Sequence, residues 1–326
     1  METYYEARPK LIKESSIALG FFDGVHPGHK VVVKKAVEDA RALGIKAGVV
    51  TFKDHPRALI RGRSPLLLTV IDQRLKLFEQ LGVDLALVLS FTEELCLLSP
   101  REYVENILVG SMGAKSISVG HNHHFGRDRE GDAELLKVLG QDLGFTVNTT
   151  QMIKINQKEV SSSLIRNYVA EGRMQEAGEL LGRPYSILGD VAHGDGRGKT
   201  IGFPTANLCL YEFQMIPKLG VYAGRAQTIG NNQIDCVINV GMRPTFTKAD
   251  QALSATALKP VIEAHLLDFE SDLYGKKLEL TFLDFLRDEK KFASVEDLIE
   301  QIDNDIEKAR LTFKKFFDNK SEKLLA

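Results

Sequence analysis

Ser16-Ile-Ala-Leu-Gly-Phe-Phe-Asp-Gly-Val-His-Pro-Gly-His29 is the stretch on which the fold turns. Its apolar first half, Ser16–Phe22, reads as a β-strand. From His29 to Leu43 the spacing changes: Val32, Val33, Ala36, Val37 and Ala40 recur at helical intervals, and Gly44 follows as a stop. A strand that leaves through glycines straight into a helix opens a βα unit. The alternation continues outward from it. Ala47–Phe52, Leu85–Phe91, Ser116–Gly120 and Phe145–Thr150 read as strands, and Ile71–Leu81, Pro100–Leu108 (capped by Ser99) and Ala133–Leu143 read as helices. Strands and helices in turn imply a parallel sheet covered on both faces.

The pattern breaks at Gly182-Arg183-Pro184, after two helices at Ser163–Glu171 and Met174–Leu181. Beyond it lie short strand-like runs, Tyr185–Ala192, Gly220–Thr228, Asp235–Val240, Val261–Leu267 and Lys277–Phe285, separated by Gly, Asn and Pro. That is the pattern of an antiparallel barrel or sandwich. One amphipathic helix, Ser294–Phe317, closes the chain, with Asn319–Ala326 expected to fray. The 326 residues suit two domains, 1–183 and 184–326.

Composition narrows the class without naming a chemistry. Hydrophobic residues are 44% and charged residues 26%, ordinary globular usage. A formal net charge of -2 argues against a bulk electrostatic grip on nucleic acid. Cys96, Cys209 and Cys236 are widely spaced, so they read as reduced thiols of a cytoplasmic protein. No segment reads as a signal peptide or a membrane span.

The chemistry begins where the first strand ends. In an open parallel sheet, ligands bind beyond the carboxyl ends of the strands. A helix N-terminus there offers free N–H groups and a positive dipole end, which suits phosphate. Gly20, Gly24 and Gly28 let the backbone approach a ligand. His26 and His29 can donate hydrogen bonds that strengthen as charge builds on a transferring phosphoryl or nucleotidyl group. GxGxxG is absent, so this is not a dinucleotide fingerprint. The rival reading is a plain turn with exposed histidines. Elsewhere, one of Ser161–Ser163 caps a helix. Arg166 in its first turn opposes the helix dipole, which favours a polyphosphate contact over a stabilising one. His121, His123 and His124 have no nearby cysteine and only Asp128 and Asp132 as nearby carboxylates, which argues against a metal site.

The second half carries His193-Gly-Asp-Gly-Arg-Gly-Lys-Thr-Ile-Gly-Phe-Pro-Thr-Ala-Asn207. It is no Walker A motif, because His193 stands where the first glycine is required. The loop can still wrap phosphate with backbone N–H groups. Thr205 and Asn207, two apart on an extended chain, share a face, and their neutral oxygens suit a magnesium ion already bound to phosphates. A hairpin loop with ordinary turn chemistry is the alternative.

His26-Pro-Gly-His29 resembles the HxGH signature of the nucleotidyltransferase superfamily. The fuller GFFDGVHPGH form resembles the adenylyltransferase half of bifunctional bacterial riboflavin kinase/FAD synthetases. Thr51–Pro56 (TFKDHP), Val119–Gly126 (VGHNHHFG) and Val160–Arg166 (VSSSLIR) are similar to further segments of that family. The second departs from the pattern: Asn122 stands at an Asp/Asn position, and His123-His124 replace a Phe-Arg pair. Gly202–Asn207 (GFPTAN), Gly220–Gly224 (GVYAG), Asn239–Phe246 (NVGMRPTF), Glu263–Phe269 (EAHLLDF), Asp272–Gly275 (DLYG) and Leu286–Phe292 (LRDEKKF) resemble the riboflavin kinase half.

The resemblance implies a Rossmann-like α/β nucleotidyltransferase domain followed by a riboflavin kinase β-barrel with a terminal helix. It implies riboflavin, FMN and ATP as substrates, Mg2+ as cofactor, and no nucleic-acid or membrane partner. It makes His26, His29, Arg166 and Glu263 catalytic, Glu263 as the general base. For the adenylyltransferase it assigns nucleotide contacts to Gly20, Phe21, Asp23, Gly24, Gly28, Ser162 and Ser163, and flavin contacts to His55, Asn122 and Phe125. For the kinase it assigns ATP contacts to Gly194, Gly198, Lys199, Thr200, Gly202 and Pro204, magnesium to Thr205 and Asn207, and a flavin-edge contact to Arg287, against an ion pair with Asp288 or Glu289. His265, on the same strand face as Glu263, reads as a support. One working half alone, or a non-catalytic flavin-binding regulator, are the competing readings.

Overall fold

The computed structural model describes residues 1–55, 65–194, 197–228, 233–244 and 258–325. Pro56, Asp195, Gly196, Thr245, Phe246 and Ala326 of the segments named above lie outside the described residues. The chain divides into two compact units, Met1–Ser162 and Ser163–Ala326.

The first unit is built on six parallel strands: β1 (Glu2–Tyr4), β2 (Ser15–Leu19), β3 (Lys46–Phe52), β4 (Leu85–Leu89), β5 (Ala114–Gly120) and β6 (Thr146–Thr150). Their spatial order is β1-β4-β3-β2-β5-β6. Adjacent residues of a strand point to opposite faces, and both faces are covered here. Ile17 and Leu19 join one buried cluster with Val104, Leu108, Leu136 and Leu139. Ala18 joins the other, against Val32, Val33, Ala36, Val37, Ala40 and Phe78. From β2 the chain steps to β3 and β4 on one side, then crosses to β5 on the other side of β2. The order therefore reverses between β2 and β5, and the crevice at their carboxyl ends is where such a sheet takes its ligand. The Gly20–His29 loop leaves β2 there, and the His121–Phe125 loop leaves β5.

The helix Pro27–Leu43 starts at proline, whose fixed φ suits a first turn, and stops at Gly44 in the left-handed region (φ 68°). Ser99 caps Pro100–Tyr103 through a reciprocal box with Glu102. The helix expected to run on to Leu108 widens instead into a π-helix, Val104–Val109. The wide turn has Gly110 N–H donating to the Glu105 carbonyl (2.8 Å), and side-chain periodicity carries no signal for it. The strand β1, the helix Glu93–Leu97 and the hairpin β7 (Lys154–Ile155)/β8 (Lys158–Glu159) are too short to show a period.

The second unit begins within the helix Ser162–Ala170, at Ser163, and continues with the helix Met174–Leu181; Lys218 N–H donates to the Val169 carbonyl (3.3 Å). The strands β9 (Tyr185–Ala192), β10 (Ala206–Leu210), β11 (Gly220–Gln227), β12 (Gln233–Pro244), β13 (Leu258–Leu266) and β14 (Lys277–Arg287) close into an antiparallel barrel, so the barrel and not the sandwich is formed. Strand β10, which carries on the extended segment of Thr205 and Asn207 and was not among the strand-like runs, lies between β9 and β13. The period of two sorts the side chains. Tyr222, Ile238, Ile262, Ala264, Leu280 and Phe282 are buried inside, with Tyr222 edge-on to Phe282 at 5.1 Å. Val221, Ala223, Val237 and Leu283 face outward and pack on Ala309 and Phe313 of the terminal helix. That helix is Val295–Leu325, running through the segment expected to fray.

Candidate active sites

The first site is the loop between β2 and the helix Pro27–Leu43. Phe22 (φ 56°), Gly24 (φ 83°) and Val25 (φ 42°) all adopt left-handed backbone. Only glycine does so freely, and a β-branched residue there is strained by on the order of 1–3 kcal/mol. Burial of Phe22 and Val25 and the bond from Val25 N–H to the Phe22 carbonyl (3.0 Å) hold the shape. The buried Asp23 carboxylate anchors the loop from below. It accepts from Leu68 N–H (3.1 Å), Thr69 N–H (3.0 Å) and the Thr69 hydroxyl (3.2 Å), whose oxygen accepts from Gly24 N–H (2.8 Å). Ser162 is brought to the same loop and donates its hydroxyl to the Asp23 carbonyl (2.9 Å). Ser163 and Arg166 lie in the N-terminal half of the helix that Ser162 begins.

His26 is the N-cap of its helix, its Nδ1 accepting from His29 N–H (3.4 Å). An accepting Nδ1 leaves the proton on Nε2. The two imidazoles stack, with centroids 3.6 Å apart and planes at 22°. His29 also meets the Phe22 ring edge-on at 5.4 Å, and its Nδ1 is buried without a hydrogen-bond partner among the described residues. Burial first, then the His26 and Arg74 charges, hold His29 well below the usual histidine range. At neutral pH it is an uncharged ring whose N–H can meet charge developing on a phosphate.

Around this loop the structure gathers Phe21, whose carbonyl accepts from the Thr51 hydroxyl (3.1 Å), and His55, edge-on to the Phe21 ring at 4.7 Å. On the β5 side, Asn122 is exposed, whereas Phe125 is buried against Tyr103 at 5.9 Å. His123 lies parallel to Phe125 (6.0 Å, 15°), with Nε2 buried and without a partner among the described residues. Burial, then His124 and Arg129, lower it to about 4. Sequence reasoning missed Thr69 and Arg74. The second had a legible signal, a cation on the buried face of Ile71–Gln80, four residues from the fully buried Phe78.

The second site is an outer face of the barrel. Asn207 of β10, Glu263 of β13 and Asn239 of β12 are direct partners across three adjacent strands, so the three side chains stand on one face. They line a cavity of about 380 Å³ with Gly198, Phe203, Thr205, His265 and Arg287. Asn207 Oδ1 is buried with no hydrogen-bond partner among the described residues. An orphaned oxygen is costly unless something fills its place, and beside Thr205 it fits a hard cation. A Cβ on Gly194 would overlap the Asn207 amide, so the glycine loop needs its missing side chain here. His265 Nδ1 lies 2.8 Å from the Pro204 carbonyl. A carbonyl only accepts, so Nδ1 carries the proton and ties the Pro204–Asn207 segment to β13. Lys199 and Thr200 are exposed on the helical turn Arg197–Thr200, which the sequence did not suggest, and Gly202 ends it with φ 92°.

Arg287 is committed elsewhere than to its sequence neighbours' side chains. Its Nε meets both oxygens of Asp305 (3.0 and 2.9 Å), and Nη2 lies 2.7 Å from Oδ2. Asp305, buried on the terminal helix, also accepts from Gln301 Nε2 (2.8 Å).

The family model for FAD synthetase matches residues 8–164, and that for riboflavin kinase matches residues 181–313. A bifunctional riboflavin kinase/FMN adenylyltransferase from Listeria monocytogenes is 38% identical over 93% of this chain and 93% of its own. That of Bacillus subtilis is 35% identical over 95% and 97%, and that of Escherichia coli K12 34% identical over 92% of each. A crystal structure from Streptococcus pneumoniae, titled a macrolide-efflux protein, superposes with a TM-score of 0.82 at 29% identity, covering 95% of this chain and 99% of that one. Among the described residues no helix is long and apolar enough to cross a membrane.

Proposed function

The chain belongs to the family of bifunctional riboflavin kinase/FMN adenylyltransferases, and from that premise we propose that it converts riboflavin to FMN and FMN to FAD at two separate sites. Flavins are its substrates and products, and ATP is consumed twice. The observation that carries the reading is the Asn207–Glu263–Asn239 rung facing a cavity beside Thr205.

Phosphoryl transfer is assigned to residues 184–326. The 5′-hydroxyl of riboflavin attacks the γ-phosphorus of ATP, the bond from that phosphorus to the β,γ-bridging oxygen breaks so that ADP leaves, and Glu263 takes the hydroxyl proton. Thr205 and the orphaned Asn207 oxygen would hold Mg2+, which neutralises charge on the ATP phosphates when bound. Gly194, Gly198, Lys199, Thr200, Gly202 and Pro204 form the loop over the nucleotide, and His265 steadies Pro204. Arg287 borders the cavity as a flavin-edge residue held in place by Asp305.

Adenylyl transfer is assigned to residues 1–183. The FMN phosphate attacks the α-phosphorus of ATP and pyrophosphate leaves, without a covalent enzyme intermediate. Catalysis is positioning and charge stabilisation. His26 and the neutral His29 donate N–H bonds, and Arg166 supplies a guanidinium. Gly20, Phe21, Gly24, Gly28, Ser162 and Ser163 shape the nucleotide contact, with Asp23 anchoring their loop. His55, Asn122 and Phe125 form the flavin side. The free thiols Cys96, Cys209 and Cys236 fit a cytoplasmic enzyme.

Incubation with riboflavin and MgATP, followed by chromatographic separation of flavins, tests the reading. FMN and then FAD are expected. FMN accumulating without FAD contradicts the bifunctional assignment, and no product at all points to a flavin-binding protein. Glu263→Ala should abolish FMN formation and spare FAD formation from supplied FMN, and His29→Ala should do the reverse. Equal loss of both activities in either variant contradicts two sites.

A further inference from the structure

The geometry points to Arg74 as the positioning residue that fixes the nucleotide loop for adenylyl transfer, a role that rests on the assignment of that reaction to the Gly20–His29 loop. Arg74 is fully buried on the helix Ile71–Gln80. Its Nη1 donates to the carbonyls of Phe21 (2.9 Å) and Phe52 (2.9 Å), and its Nη2 to that of Lys53 (2.9 Å). A longer contact reaches Thr51 Oγ1 (3.4 Å), and the guanidinium carbon lies 4.5 Å from the centre of the Phe21 ring. One rigid fork thus joins the exits of β2 and β3 at the carboxyl edge of the sheet.

Burying that cation carries a desolvation cost, and a hydrophobic side chain of similar volume commonly supports a fold as well or better. The compensation here is geometric. Phe21 is the residue before the left-handed Phe22, whose ring supports His29. Fixing the Phe21 carbonyl from behind therefore fixes the strained turn and the imidazoles mounted on it, without Arg74 touching a ligand. The charge stays close enough to help hold His29 neutral. Lysine cannot reproduce this. Its ammonium is a single point on a flexible stem and does not span carbonyls on two loops.

The test is steady-state kinetics of FMN adenylylation by the full chain and its Arg74→Lys and Arg74→Met variants, with thermal melting followed by circular dichroism. Both variants are expected to lower kcat by roughly ten- to a hundredfold, the scale set by ångström misplacement of reacting groups. The KM for ATP should rise while that for FMN stays near the wild-type value. A smaller folded fraction lowers kcat and moves neither KM, so that result makes Arg74 a structural strut and overturns the proposal. Wild-type kinetics in Arg74→Lys, or recovery in Arg74→Met, overturn it too. Thr51→Val removes the other tether on the Phe21 carbonyl without changing side-chain volume much. It should shift the same parameters in the same direction by a smaller factor. Unchanged kinetics there, should neither Arg74 variant fold, also refute the role. A wild-type chain that forms no FAD from FMN refutes the underlying assignment, whereas an active wild type matched by Arg74→Lys refutes only the role of Arg74.

Discussion

Arg287→Met is the perturbation whose size the structure sets most directly. Arg287 closes a bidentate pair on Asp305, with contacts of 2.7 to 3.0 Å, and the Asp305 side chain is 2% exposed against 17% for its partner. Taking the cation away strands a carboxylate that, among the described residues, then keeps only the Gln301 amide at 2.8 Å. Breaking a buried pair from one side costs about 3–5 kcal/mol, because a desolvated charge is left behind. In a unit the size of Ser163–Ala326 each kcal/mol lowers Tm by roughly 2–4 °C, so the expected drop is about 6–20 °C. The double variant Arg287→Met/Asp305→Leu removes both charges and leaves apolar groups, and should recover most of the loss. Scanning calorimetry of the full chain is the assay, with residual riboflavin phosphorylation after heating identifying the transition of the second unit. The protein has no tryptophan, so indole fluorescence is no substitute. A single variant melting within about 2 °C of wild type, on that same scale, would refute the reasoning. So would a double variant no more stable than the single one.

Two further outcomes follow from individual side chains. His265→Asn places an amide N–H close to where Nδ1–H meets the Pro204 carbonyl, so it should retain FMN formation, while His265→Ala should need more Mg2+ to reach half-maximal rate. Equal Mg2+ titrations for both variants would show that the tether has no role. The second outcome concerns acid. His29 and His123 have folded pKa values below the ordinary histidine value of 6.5, His123 at about 4. The unfolded chain then binds more protons, so stability is complete above about pH 6.5 and falls as pH drops toward 4. His123→Phe keeps an aromatic ring against Phe125 and removes one of these protons. The melting temperature of the first unit should lose part of its acid dependence between pH 6.5 and 4.5, an unchanged slope being the result that contradicts the assignment.

The elements with a long period were legible. Val32, Val33, Ala36, Val37 and Ala40 announced one face of Pro27–Leu43, and the same five residues are the ones it buries. Ser99 announced a cap, and its hydroxyl accepts the Glu102 N–H. The two- and three-residue strands were not legible because so few residues establish no repeated alternation, and the π-helix was not because its wider hydrogen bonding leaves no mark in the choice of side chains. The site residues divide in the same way. The candidates His26, His29, Thr205 and Asn207 sit in compact motifs whose spacing is local, whereas Glu263, a single carboxylate on a strand, was marked out by the family resemblance alone. Thr69 and Arg74 act on a loop about fifty residues away through backbone carbonyls and a buried carboxylate, and such partners leave no mark in the spacing of either segment.

By itself, the sequence determined that an α/β half precedes an antiparallel all-β half and marked out the two glycine loops to which the chemistry is assigned, because periodicity, capping and glycine placement are properties of neighbouring residues. Barrel rather than sandwich was settled by the closure of the strands. Only the tertiary structure decided that Glu263 stands on the outer face of the barrel beside Asn207 and Asn239. It alone decided that Arg287 answers to Asp305, eighteen residues on. A strand's alternation gives two faces and does not say which is inside. That choice is made by closure of the ring and by the helix laid across it, contacts between residues far apart in the chain.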